Sequence, residues 1–124
     1  MYRAALLVML LVVQAEAIAA PANWLDYESL DPSQRSLLEF RLDAAGDAFG
    51  WANAQLGTKG QPALYCSPQS LALNSKNYLE IYRAELDRNP TMYQDLVDET
   101  DPSGSGYIGL VLLKGLMAAF PCSR

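Results

Sequence analysis

The stretch that decides the fold runs from Tyr65-Cys66-Ser67-Pro68 to Phe120-Pro121-Cys122, and it is bounded by the only two cysteines of the 124-residue chain. Just before the second cysteine lies Tyr107-Ile-Gly-Leu-Val-Leu-Leu-Lys-Gly-Leu-Met-Ala-Ala-Phe120, the most apolar run outside the N-terminus. Only Lys114 interrupts it. A run that is apolar all round marks a helix at the centre of a core. Pro121 ends that helix, and the spacing predicts it over about Tyr107 to Ala119.

Upstream, Asp31-Pro32-Ser33-Gln34 spells a helix start: an N-cap acid, a proline in the first turn and an amide three residues on. Leu38, Leu42, Ala45, Phe49, Ala52 and Leu56 then recur at helical spacing as one apolar stripe. Gly57 and Gly60 close the helix. Gly46 and Gly50 lie inside it, where each costs about 1 kcal/mol relative to alanine. Their shared face suits a close helix–helix approach.

A second helix is expected from Asn74 to about Arg88, with Tyr78, Leu79, Ile81, Tyr82 and Leu86 facing the core. Asn89-Pro90 stops it. A third begins at Thr91-Met-Tyr-Gln94 and is expected to bury Met92, Leu96 and Val97. It fades at Asp98-Glu99, where acids meet the wrong end of the helix dipole. Asp101-Pro-Ser-Gly-Ser-Gly106 is a loop by composition. Four helices with short links, and no run of alternating polarity, make a compact all-α domain.

The start of the chain reads as a cleaved signal peptide, with Arg3, an apolar run from Ala4 to Val13, and small residues up to Ala20. Cleavage is expected after Ala19. The ten-residue apolar run falls well short of the ~20 needed to span a bilayer, so no membrane span is expected after cleavage. The resulting organisation is residues 1–19 signal peptide, 20–30 an N-terminal arm, and 31–124 the helical domain. Trp24, Leu25 and Tyr27 of the arm either dock on the domain or serve a partner. Two cysteines in an exported chain most simply pair. Joining Cys66 to Cys122 would restrict the unfolded chain by about 4 kcal/mol. Metal ligation is the rival reading, and it would have no histidine and no other thiol to draw on.

Removing residues 1–19 leaves 8 basic and 13 acidic residues, a net charge still of −5. An acidic domain argues against nucleic acid and anionic membranes and suits a basic protein partner. Enzyme chemistry has little to work with. Without histidine there is no Ser-His-Asp, Cys-His or HExxH site, and neither a phosphate loop nor a dinucleotide fingerprint occurs. No cofactor is expected. Asp95, Asp98, Glu99 and Asp101 cluster, yet on a helix end and loop expected to be solvated, with nothing to raise one pKa for acid catalysis. Asp101, Ser103, Ser105, Gly106 and Ile108 follow the first positions of an EF-hand calcium loop. Its twelfth position, however, is Leu112 where a bidentate glutamate is needed, so the segment reads as a linker. The stretch from Asp95 to Ser105, including Ser103 and Ser105, is instead a candidate partner-binding loop that joins negative charge to glycine-containing backbone.

Four segments, in order, resemble a known family. Gly46-Asp-Ala-Phe-Gly50-Trp-Ala-Asn53-Ala54 resembles the glycine-paired first-helix motif of the Rap/Tai immunity proteins. Cys66-Ser-Pro68 is similar to their C-x-P, Tyr82 to Pro90 to their helix ending in x-P, and Ala119-Phe-Pro-Cys122 to their terminal F-P-C. The likeness covers about residues 40–122. Asp47 stands where the family has an aromatic residue, Asn53 where it has aspartate, and the Asp98–Gly106 loop is long. The resemblance implies a periplasmic all-α domain with a Cys66–Cys122 disulfide, often a homodimer. Its function would be to neutralise a peptidoglycan amidase effector of type VI secretion by capping the active site. The alternative expectation is a periplasmic structural or chaperone-like helical domain with no enzyme target.

Overall fold

The computed structural model describes residues 22–68 and 70–123. The expected signal peptide and its cleavage site lie outside them. The described residues form an all-α domain of four helices: α1 (Pro32–Thr58), α2 (Ser75–Arg88), α3 (Pro90–Gln94) and α4 (Ile108–Ala119). No strand occurs among them.

Each long helix starts where the local chemistry requires. The Asp31 carboxylate accepts from the Gln34 N–H at 2.9 Å while the Gln34 amide oxygen accepts from the Asp31 N–H at 2.9 Å, a reciprocal cap. Asn74 and Asn77 repeat the device at α2, with the Asn74 oxygen also taking the Lys76 N–H. Donors that a helix N-terminus would otherwise leave open are thereby satisfied, two at α1 and three at α2.

α2 is the middle layer and packs against both α1 and α4, which also touch each other. Gly46 is what lets α1 approach, because a Cβ there would fall on the Tyr78 ring. Gly115 does the same for α4, where a Cβ would stand 2.9 Å from the Ile81 carbonyl oxygen. Gly50 is exposed and has no atom near its would-be Cβ. Leu38, Leu42, Tyr82, Tyr93, Val111, Leu112 and Leu116 are fully buried and fill the space between the helices.

The arm is part of this core. Trp24, Leu25 and Leu30 are buried, and the buried Tyr82 hydroxyl donates to the Trp24 carbonyl at 2.7 Å. Tyr27, in a 3-10 turn spanning Tyr27–Ser29, lies under the guanidinium groups of Arg35 and Arg83, at 4.5 and 4.2 Å. Glu28 bonds Arg83 at 2.7 Å, close to Arg35 as well. Cation–π attraction and these ion pairs clamp the arm across α1 and α2.

Cys66 and Cys122 are bonded, with Cα atoms 4.9 Å apart. The Cys66 N–H also donates to the Phe120 carbonyl at 2.8 Å, so backbone and sulfur tie the same two segments. Asn53 positions the approach to this junction. Its amide oxygen accepts from the Leu64 N–H at 2.7 Å and its NH2 donates to the Tyr65 carbonyl at 2.9 Å.

Two expectations are corrected. α3 starts at Pro90 rather than Thr91, ends at Gln94, and buries Tyr93 while Met92 is exposed. Pro90 takes the first helical position, which its fixed φ favours. α4 is not enclosed on all sides: Ile108, Val111, Leu112, Gly115 and Leu116 are buried, but Leu110 and Met117 are exposed.

Candidate partner-binding surface

The stretch from Asp95 to Ser105 follows α3 and leads into α4 through a 3-10 turn, Ser105–Tyr107. Two carboxylates give it shape. Asp98 Oδ1 accepts from the Thr100 N–H at 2.8 Å, the Thr100 hydroxyl at 2.6 Å and the Asp101 N–H at 3.0 Å. The Thr100 hydroxyl, followed by those two backbone N–H groups, holds the Asp98 carboxyl below its ordinary value.

Asp101 turns the other way. Its Oδ1 accepts from the Ser103 hydroxyl and the Ser105 N–H, both at 3.2 Å, and its Oδ2 from the Gly106 N–H at 2.9 Å. The side chain therefore satisfies the first two N–H groups of the Ser105–Tyr107 turn that leads into α4. Ser103 serves the fold as well: its carbonyl accepts the Trp24 N–H at 2.9 Å. Gly104 has φ +69°, and a Cβ there would press on Leu25. The loop is thus built down onto the arm.

The acids divide into two groups. Asp95, Asp98 and Glu99 are exposed, and none is in an ion pair among the described residues. Asp101 and Ser103 are half-buried and committed to loop geometry, and the Ser105 N–H joins them. What the loop can offer a partner is three carboxylates on a fixed turn, with unpaired oxygens for basic or N–H donor groups. Leu112, at the position where a calcium loop needs its last carboxylate, is fully buried in the core. No three potential metal-binding side chains meet among the described residues.

A polar network on the core side escaped sequence reasoning. Glu85 is 4% exposed. Its carboxylate accepts from the Tyr93 hydroxyl at 2.7 Å, from the Asn89 NH2 at 3.2 Å and from the Arg88 guanidinium. Burial by itself raises the Glu85 pKa, but the Arg88 and Tyr93 hydrogen bonds and the positive charges of Arg88 and Lys114 outweigh it and hold the group below its ordinary value. Burial, with the Glu85 hydrogen bond, pushes the Tyr93 hydroxyl up. This network joins α2, α3 and the linking Asn89. Its only sequence signal is an acid three residues after Tyr82, on the face of α2 that should be apolar.

Comparison with models of known protein families, with curated proteins and with solved structures finds no match to this chain. The class the structure itself defines is a small all-α domain stapled by one disulfide. No helix among the described residues is long and apolar enough to cross a membrane. The disulfide is compatible with an oxidising, exported location.

Proposed function

We propose that this protein is a periplasmic immunity protein that binds a peptidoglycan amidase effector of type VI secretion and inhibits it by occluding its active site. The reading rests on the ordered resemblance to the Rap/Tai proteins, which also implies a homodimer. The structural observation that carries it furthest is the loop at Asp95–Ser105. Asp98 and Asp101 pre-form its turns, so little ordering entropy is lost on docking. Asp95, Asp98 and Glu99 give it a negative rim suited to a basic or donor-lined cleft.

The test is binding of the oxidised mature domain to a peptidoglycan hydrolase encoded by a neighbouring gene, with peptidoglycan cleavage measured alongside. Tight binding with loss of cleavage supports the reading. An active hydrolase that ignores the domain overturns it. The double variant Asp95→Asn, Glu99→Gln removes two charges without touching the turn-forming bonds. It should weaken binding, and unchanged affinity would move the contact surface elsewhere.

The second reading, a structural or chaperone-like helical domain, draws on one observation: Phe40 and Trp51 are large and exposed. Suppression of client aggregation by the purified domain would favour it.

A further inference from the structure

α1 has two apolar faces and only one of them is covered. Opposite the buried Leu38 and Leu42, Leu37 is 49%, Phe40 72% and Trp51 75% exposed. Ala44 and Ala48, also exposed, lie between them. At 3.6 residues per turn these five share about 80° of arc. The two aromatic rings alone present on the order of 300 Å², and with Leu37 and the alanines the patch passes what scattered surface residues produce.

We propose that this face packs against the same face of a second copy, α1 antiparallel to α1, about a two-fold axis passing Ala44. The inference takes from the proposed function only its two-copy state; the choice of face and register comes from α1. Leu37 and Trp51 stand seven residues to either side of Ala44, Phe40 and Ala48 four residues to either side. An antiparallel pair therefore sets Leu37 level with Trp51 of the partner subunit, and Phe40 level with Ala48 of the partner subunit. Each ring then meets a smaller residue that leaves room for it. A parallel pair would put ring against ring at two levels, leave gaps at the alanine levels, and align the two helix dipoles head to head.

The size also fits. A standard interface covers about 800 Å² per partner. The stripe supplies roughly half of this. Ser33 and Gln55 beyond the two ends of the stripe, and Arg41 and Asp47 on its flanks, can supply the remainder along a helix about 40 Å long. Asp43 and Asp47 share one edge and approach their own copies across the axis. Salt therefore strengthens the association by screening them, the reverse of what a basic partner on this face would show.

Sedimentation equilibrium of the oxidised mature domain, from low to high micromolar concentration, should show a reversible monomer–dimer equilibrium that tightens with salt. Phe40→Glu and Trp51→Glu should each weaken it by about thirtyfold or more. Their circular dichroism should match the parent, because both side chains stand outside the core. Met117→Glu, on the exposed side of α4, should leave the dimer unchanged. Ala44→Cys should cross-link between copies on oxidation, whereas Gln55→Cys should not, its two copies being roughly 33 Å apart in the antiparallel pair. A monomer at every concentration overturns both this inference and the homodimer of the proposed function, while the hydrolase assay still decides inhibition. A dimer indifferent to Phe40→Glu and Trp51→Glu overturns the face alone. Cross-linking through Gln55→Cys overturns the antiparallel register.

Discussion

The Tyr78 ring occupies the place where any side chain at residue 46 would begin: a Cβ on Gly46 would lie 2.6 Å from Tyr78 Cε1. Tyr78 is buried between α1 and α2, so the ring has little room to withdraw. Gly46→Ala should therefore destabilise the domain by about 1–3 kcal/mol, although alanine is the better helix former. Gly50→Ala meets open space and should stabilise by up to about 1 kcal/mol. Chemical denaturation of the two variants checks the contrast, and equal shifts would refute it.

Asn53 uses both ends of its amide, accepting from Leu64 N–H and donating to the Tyr65 carbonyl. Aspartate, the residue that the Rap/Tai resemblance would place here, can accept but cannot donate. Asn53→Asp should leave the Tyr65 carbonyl without its donor and cost about 1–3 kcal/mol. Loss of amide-exchange protection at Leu64 in that variant would localise the effect; an unchanged denaturation midpoint would rule it out.

Glu85 makes the domain acid-sensitive in a defined direction. Its folded pKa lies below the ordinary 4.5, so its stabilising contribution is complete above that pH. The contribution is lost as pH falls through the lower folded value. Glu85→Gln should cost about 1–3 kcal/mol at neutral pH, and should remove this part of the acid dependence. Urea midpoints against pH should converge for the two proteins on the acid side. Parallel curves would place the acid sensitivity elsewhere.

Reduction of the Cys66–Cys122 bond frees the 56-residue separation that it spans. The Cys66→Ser, Cys122→Ser double variant should lose about 2–4 kcal/mol while keeping its helical circular dichroism. A larger loss would mean that the Phe120 and Asn53 contacts depend on the bond.

The parts of the fold legible in the sequence are those set by local chemistry. Asp31 with Gln34 announces α1, and its apolar stripe from Leu38 to Leu56 runs down the core side. The apolar run before Pro121 marks α4, and two cysteines in one chain announce their bond. What stayed hidden is set by tertiary context. Five residues of α3 are too few for periodicity to fix a phase, so the sequence points Met92 inward where Tyr93 sits. Leu110 and Met117 read as core because apolarity cannot say which side of a helix is covered. In the loop, Asp101 and Ser103 look like Asp95 and Glu99 in sequence; only the path of the backbone assigns the first pair to folding and leaves the second pair outward. Glu85 is not legible in the sequence because its partners, Arg88, Asn89 and Tyr93, meet it only once α2 turns into α3.

The Cys66–Cys122 bond also has a mechanical meaning. It closes α2, α3 and α4 into a covalent ring, while the arm and α1 hang outside it on an open chain. Tension applied between the two ends of the oxidised domain passes directly through the sulfur atoms. Such a pull can peel away the arm and α1 but cannot extend the ring, which hides roughly 190 Å of contour length. Under oxidising conditions, α1 is thus the one long helix that a stretching force can remove.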